Sequence, residues 1–201
     1  MSPTMTTDKT SSCKLIQDLR SVPSPVFYIF AAVAVFCSFF VLGFTLRSIF
    51  TALFILALVA CASADINKGI VPDLMLIFIA ALAIVNFFVT EGFSTQGLLD
   101  HLIGAVCMSV PMLIIALLVK GAFGGGDIKL MAAAGLYLAW RYTVAGAIVG
   151  MFISGFYGMY LLLIKKAGAR AKMKLAPFLA YGLATAALFG DRIIALLSLY
   201  Q

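Results

Sequence analysis

Apolar runs of membrane-crossing length, separated by short polar connections, occupy almost the whole chain. They fall at about Val26–Leu46, Ser48–Ala64, Leu74–Thr90, Leu98–Val119, Ile128–Trp140, Thr143–Ile164 and Ala176–Leu199. A bilayer core of about 30 Å takes roughly 20 apolar residues per helix. The pattern therefore predicts an all-α polytopic membrane helix bundle of six to seven transmembrane helices. The fifth run is short for a full crossing, and reads either as extended into its flanks or as a partial span buried among other helices. Residues 1–24 are polar, with Pro23 and Pro25 at their end, and read as a cytosolic N-terminal tail. A cleaved signal is not expected, because the apolar run that follows is too long for a signal core. Residues 25–201 form the membrane domain.

Composition agrees: 64% of the 201 residues are hydrophobic and 11% charged, more apolar surface than one soluble core of this size could hide. Membrane lipid must solvate the remainder. The net charge of +6 does not point to nucleic acid, since the basic residues sit between apolar runs instead of forming one stripe. Cytoplasmic connections carry an excess of Lys and Arg. Placing the N-terminus inside puts Lys9, Lys14, Arg20, Lys68, Lys120, Lys129, Lys165, Lys166, Arg170, Lys172 and Lys174 on the cytoplasmic side, with only Arg47, Arg141 and Arg192 outside. The basic stretch 165–174 reads as a topological anchor. The expected location is the cytoplasmic (inner) membrane. Cys13, Cys37, Cys61 and Cys107 are far apart and include no Cys-x-x-Cys pair, so they read as packing thiols, not as a zinc site.

Ionisable groups at membrane depth are expensive and usually functional or paired, which singles out the acidic residues. Asp8 and Asp18 fall in the tail and Glu91 in an external connection. Asp100 lies beside His101 and Asp191 beside Arg192, where an external ion pair or an interfacial placement suffices. Asp65 ends an apolar span before Ile66-Asn67-Lys68-Gly69-Ile70-Val71-Pro72-Asp73, where Gly69 and Pro72 turn the chain into the next helix. Asp127 follows Gly124-Gly125-Gly126 and opens the short fifth helix. Either aspartate alone could be a water-facing helix end. The charge pattern places both on the cytoplasmic face, so they can meet.

Glycines at this density allow close approach of a peptide or helix. A phosphate-binding loop is a poor alternative, because the run lacks the Gly-Lys-Ser/Thr ending and follows a membrane helix. Two carboxylates at one depth have the composition of an aspartic protease: like charges in contact cannot both ionise at neutral pH, so one holds a proton. The ionised partner acts as base on a water while the protonated one polarises the scissile carbonyl. Lys68 reads as an interfacial lysine, and Lys129 as a candidate for substrate contact or charge tuning. Gly146, Gly150, Ser154, Gly155 and Gly158 read as helix-packing positions.

Three separated pieces resemble the type IV prepilin leader peptidases, a family of Gly-x-Gly-Asp membrane aspartyl proteases. They are Asp65 with Ile70-Val71-Pro72, then Gly124 through Asp127 to Ile128-Lys129-Leu130-Met131-Ala132-Ala133, and last Ala176-Pro177-Phe178-Leu179-Ala180-Tyr181-Gly182. The resemblance covers about residues 48–190. It implies that Asp65 and Asp127 are catalytic without a metal or cofactor, that Gly124, Gly126, Lys129 and Pro72 shape the loops or bind substrate, and that the partner is a pilin-like or preflagellin-like precursor. The short basic leader of that precursor would be removed at the cytoplasmic face. The sequence departs from the family in having Asp73 where Asn is frequent, and Lys68-Gly69 where arginines are frequent, which leaves substrate contacts open. Without the cysteine-rich segment that larger members carry for N-methylation, the expectation is a peptidase without methyltransferase. In this it is similar to the compact peptidases of Flp-type pilus and archaeal preflagellin systems.

Three other readings compete. A presenilin-like protease also uses Gly-x-Gly-Asp, but its Tyr-Asp first motif is absent at Asp65. A proton- or ion-coupled transporter would use paired carboxylates, and predicts internal repeats that the chain does not display. A structural subunit of a secretion machine would leave the acidic pair unneeded. Oligomeric state and the natural precursor are not readable from the residues.

Overall fold

The computed structural model describes residues 25–90, 92, 94–119, 121–163 and 174–196. The predicted tail, Glu91, Lys120, and residues 164–173 of the basic stretch lie outside the described residues. Every regular element among them is helical: α1 Pro25–Leu42, α2 Leu46–Lys68, α3 Asp73–Thr90, α4 Thr95–Cys107, α5 Ser109–Leu118, α6 Gly125–Leu163 and α7 Ala176–Leu196. Five stretches are long and apolar enough to cross a membrane: α2, α3, α4 with α5, α6, and α7, with a shorter apolar helix at Ala31–Leu42. The all-α membrane bundle is as the apolar pattern predicts.

Local chemistry sets the ends. Thr45 and Ser48 form a capping box at the start of α2, where Ser48 N–H donates to Thr45 Oγ1 and Thr45 N–H to Ser48 Oγ. At its other end Gly69 takes the left-handed conformation (φ 67°) and donates its N–H to the Asp65 carbonyl, a cap that suits glycine. Asp65 therefore lies inside the last turn of α2, and does not end the helix as its position after the apolar run suggests. The fourth apolar run is broken at Met108 into α4 and α5. Pro111 explains the break, since it cannot donate to the Cys107 carbonyl and its ring crowds that group.

The predicted fifth and sixth helices are the two parts of α6, which is continuous except at Ala139 (φ 62°, ψ 172°). As one straight rod, 39 residues would reach about 58 Å, twice a hydrocarbon core of ~30 Å. Contacts give the direction of each part. The first begins beside Val71 and ends with Tyr137 stacked on Phe54, near the start of α2. The second begins with Tyr142 against Gly190, passes Gly146 against Gly182, and reaches Gly150 against Phe178. It thus runs antiparallel to α7, back toward the end where Asp127 lies. The chain reverses at Ala139, and the short fifth helix is the outward arm of that hairpin. His101 Nδ1 sits 2.7 Å from the Leu136 carbonyl, an acceptor that the break removes from the helix ladder.

Helix spacing is set by glycines. A Cβ on Gly135 would collide with the Gly104 backbone, and one on Gly182 with the backbone of Gly146 and Gly150. Lipid tails supply no hydrophobic drive for helix association, so such close approach is what holds neighbours together. Of the packing positions read from the sequence, Gly146 and Gly150 serve this purpose while Gly155 faces open space. Around these contacts a buried core of Phe54, Leu58, Ile79, Leu130, Met131, Leu179 and Leu183 joins α2, α3, α6 and α7. Cys61 is buried in it, and Cys37 and Cys107 are partly buried, all as free thiols.

Gly135→Ala is expected to destabilise the protein by about 1–3 kcal/mol, the scale of overpacking against groups that cannot move aside. Gly155→Ala is expected to be neutral or slightly stabilising. Thermal unfolding in detergent, read by the fluorescence of Trp140, separates the two.

Candidate active site

Three segments far apart in the chain meet at one end of the bundle. The first is the last turn of α2 with the connection Gly69 to Pro72. Pro72 contributes its carbonyl to the start of α3, accepting from Met75 N–H at 3.1 Å and Leu76 N–H at 3.4 Å. Its fixed φ and missing N–H cost nothing there.

The second segment is the glycine run that opens α6. The Gly124 carbonyl accepts from Asp127 N–H at 3.0 Å and Ile128 N–H at 3.3 Å. In return Gly124 N–H donates to Asp127 Oδ2 at 3.3 Å. This is the reciprocal arrangement by which a third-position carboxylate satisfies a helix start, and it fixes where the Asp127 side chain points. A Cβ on Gly124 would come 3.0 Å from Asp127 Oδ2, and one on Gly126 would come 3.0 Å from the Val71 side chain, whereas one on Gly125 would meet nothing. The middle position of Gly-x-Gly-Asp is therefore sterically free, and the outer two are not.

The third segment leads into α7. Lys174 Nζ donates to the Ile66 carbonyl, and both the Lys174 charge and the Ala176 N–H act on the Asp65 carboxylate. Asp65 and Asp127 lie within electrostatic reach of each other. Each is 8% exposed. Asp65 Oδ2 is buried without a hydrogen-bond partner among the described residues, as is Asn86 Oδ1, an expensive state for a carboxylate oxygen.

Lys129 does not turn toward this pair. Its Nζ lies 2.7 Å from Asp73 Oδ1, with both side chains largely exposed, so the contact contributes little to stability. Asp73 and Lys129, singled out separately in the sequence, are thus one ion pair. The residue that sequence reasoning passed over is Lys174, read only as part of a basic anchor. Its position two residues before Ala176 was the available signal. Lys68 sits in the last turn of α2.

At the opposite end, Arg47, Tyr142 and Asp191 line a polar cavity of about 120 Å³ with Asn86 and His101. Asp191 accepts from Tyr142 OH at 2.7 Å, the partner that the sequence reading sought in Arg192. Arg192 rests over the Phe189 ring instead. Arg47 and the helix break before Arg141 thus lie away from Lys129, Lys174 and the two aspartates.

The two buried carboxylates thus lie at one end of a bundle whose helices are long and apolar enough to cross a membrane. The type IV leader peptidase family matches residues 52–189, and the chain belongs to it. The chain is 31% identical over 154 residues to "Prepilin leader peptidase/N-methyltransferase" of Bacillus subtilis (strain 168), covering 76% of this chain and 60% of that protein. It is 29% identical over 141 residues to the protein of the same name from Aeromonas hydrophila, covering 68% and 48%. The chain thus spans about half to three fifths of the length of these curated relatives. No solved structure matches it significantly.

Because Gly126 abuts Val71 and Gly125 abuts nothing, Gly125→Ala is expected to leave thermal stability unchanged. Gly126→Ala should cost about 1 kcal/mol, a few degrees in midpoint for a chain of this size.

Proposed function

We propose that this protein is a membrane aspartyl endopeptidase that removes the short basic leader from pilin-like precursors at the cytoplasmic face of the inner membrane. The observation that carries the reading is the convergence of three sequence-distant segments on the buried Asp65 and Asp127. Membership of the leader peptidase family and the printed names of the two relatives support it. The reading takes only the leader-peptidase half of those names.

In this mechanism the scissile peptide lies between the two carboxylates with a water beside the ionised one. That carboxylate takes a proton as the water oxygen bonds to the carbonyl carbon, while the protonated carboxyl donates a hydrogen bond to the carbonyl oxygen. Collapse of the tetrahedral intermediate breaks the C–N bond, and the leaving nitrogen receives a proton from the carboxyl that abstracted one. The pair titrates as a unit. Gly124 and Asp127 hold one carboxylate at the helix start, and Lys174 and the Ala176 N–H steady the other, so neither must be ordered when substrate arrives.

The test is co-expression of the chain with a panel of pilin-like precursors, with the cut located by mass spectrometry. Asp65→Asn and Asp127→Asn should each lower cleavage by at least about a hundredfold, the usual worth of a general acid or base, with the variants still folded in the membrane. Gly125→Ala should retain cleavage, and Gly124→Ala, which crowds Asp127 Oδ2, should lose most of it. Cleavage at the unaltered rate by either asparagine variant would sink the mechanism. Failure to cut any precursor would favour the transporter reading of the carboxylate pair.

A further inference from the structure

Asp65 and Asp127 are held in similar surroundings, and one charge breaks the symmetry. Asp127 is the third residue of α6 and accepts one backbone N–H, from Gly124. Asp65 also accepts one, from Ala176, the first residue of α7. Each helix start acts as about half a positive charge, so the contribution of α6 to one carboxylate and that of α7 to the other offset one another.

Two features have no counterpart on the Asp127 side. Asp65 lies in the last turn of α2, whose end acts as about half a negative charge and disfavours an ionised neighbour. Lys174 stands at the same place. Its Nζ donates to the Ile66 carbonyl, one of the last four of that helix, and its charge reaches the Asp65 carboxylate. A whole cation against half a negative pole leaves Asp65 in the more positive surroundings, although solvent screens part of the charge of this exposed lysine. The other titratable groups at this end do not reverse the balance. Asp73 of α3 and Lys129 of α6 are paired with each other. Lys68, exposed at the end of α2, adds positive charge on the Asp65 side. Cys61 of α2 and Tyr181 of α7 cannot become cations.

We propose that Lys174 is a positioning residue that decides which of the two carboxylates is ionised when substrate arrives: it keeps the negative charge on Asp65 and leaves the single proton of the pair on Asp127. The assignment rests on the peptidase reading above and gives the aspartates separate roles. Asp65 takes a proton from the attacking water as the water oxygen bonds to the carbonyl carbon. It returns that proton to the leaving nitrogen as the C–N bond breaks. Asp127 keeps its own proton throughout and donates a hydrogen bond to the carbonyl oxygen.

Lys174→Gln and Lys174→Arg separate charge from tether. Glutamine can still donate to the Ile66 carbonyl but carries no charge, whereas arginine supplies both. The measurement is kcat/KM against pH, in membranes, for a precursor that the unaltered chain cuts. The acid limb of that profile reports the group that must be ionised. Without the cation, charge on Asp65 is less favoured, so Lys174→Gln should move the limb to higher pH. The expected shift is about one pH unit, the lower end of what a nearby opposite charge contributes, and cleavage lost below the limb should return above it. Lys174→Arg should bring the limb back. A role in folding alone would lower cleavage at every pH without moving the limb.

A second comparison does not depend on these variants. An asparagine amide can replace a protonated carboxyl as hydrogen-bond donor, but it cannot replace an ionised one as base. Asp127→Asn should therefore keep about tenfold more residual cleavage than Asp65→Asn, the worth of one retained hydrogen bond. Three results would each overturn the assignment and leave the peptidase intact: an unmoved limb in Lys174→Gln, a limb moved as far by arginine as by glutamine, or Asp65→Asn as the more active asparagine variant. Failure of the unaltered chain to cut any precursor overturns the peptidase reading itself.

Discussion

Backbone-to-backbone contact between helices, made possible where glycines face one another, is the constraint on which this architecture depends. In water the buried core would hold the helices together, but lipid is as apolar as leucine, so cohesion must come from fit. Gly104 against Gly135 draws α4 onto the first arm of α6, and Gly182 against Gly146 and Gly150 draws α7 onto the second. With both arms held in this way, the start of α6 and the start of α7 arrive at the end of α2. The meeting of Asp127, Asp65 and Ala176 is a consequence of helix spacing set a few turns away.

The same bilayer explains where irregular backbone occurs. Unpaired N–H and C=O groups cannot face hydrocarbon, and three departures from helix in the described residues have identifiable partners. The reversal at Ala139 leaves the Leu136 carbonyl to His101. The glycine run before α6 is tied by the exchange between Gly124 and Asp127, and the turn after α2 by Gly69 and Pro72. Among side chains, Asp65 Oδ2 and Asn86 Oδ1 are buried without a partner among the described residues, and the former stands where the proposed chemistry would place a substrate or water oxygen.

Lys129 and Asp73 illustrate how a departure from a familiar motif is read only with its partner in view. Taken singly, one looks like a substrate contact and the other like a family irregularity. Together they are an exposed ion pair across α3 and α6, weak in energy. The position of α1 is a similar case. Its sequence says only that it is apolar, while its place beside α2 gives the bundle an apolar groove walled by Cys37, Ile55 and Ala184.

The apolar periodicity and charge pattern by themselves determined the membrane class, the helix sequence, the packing use of Gly146 and Gly150, and the two aspartates worth weighing. These are local properties, because hydrophobic length and charge are written residue by residue along the chain. The extra turn of α2 beyond Asp65, the break at Met108, the reversal inside one continuous helical stretch at Ala139, and the approach of Lys174 to Asp65 were decided by tertiary structure. Each depends on which backbone groups find partners, and those partners lie tens of residues away, as His101 does from Leu136 and Lys174 from Ile66. The sequence could place two carboxylates on one face of the membrane; only packing could bury them within reach of each other.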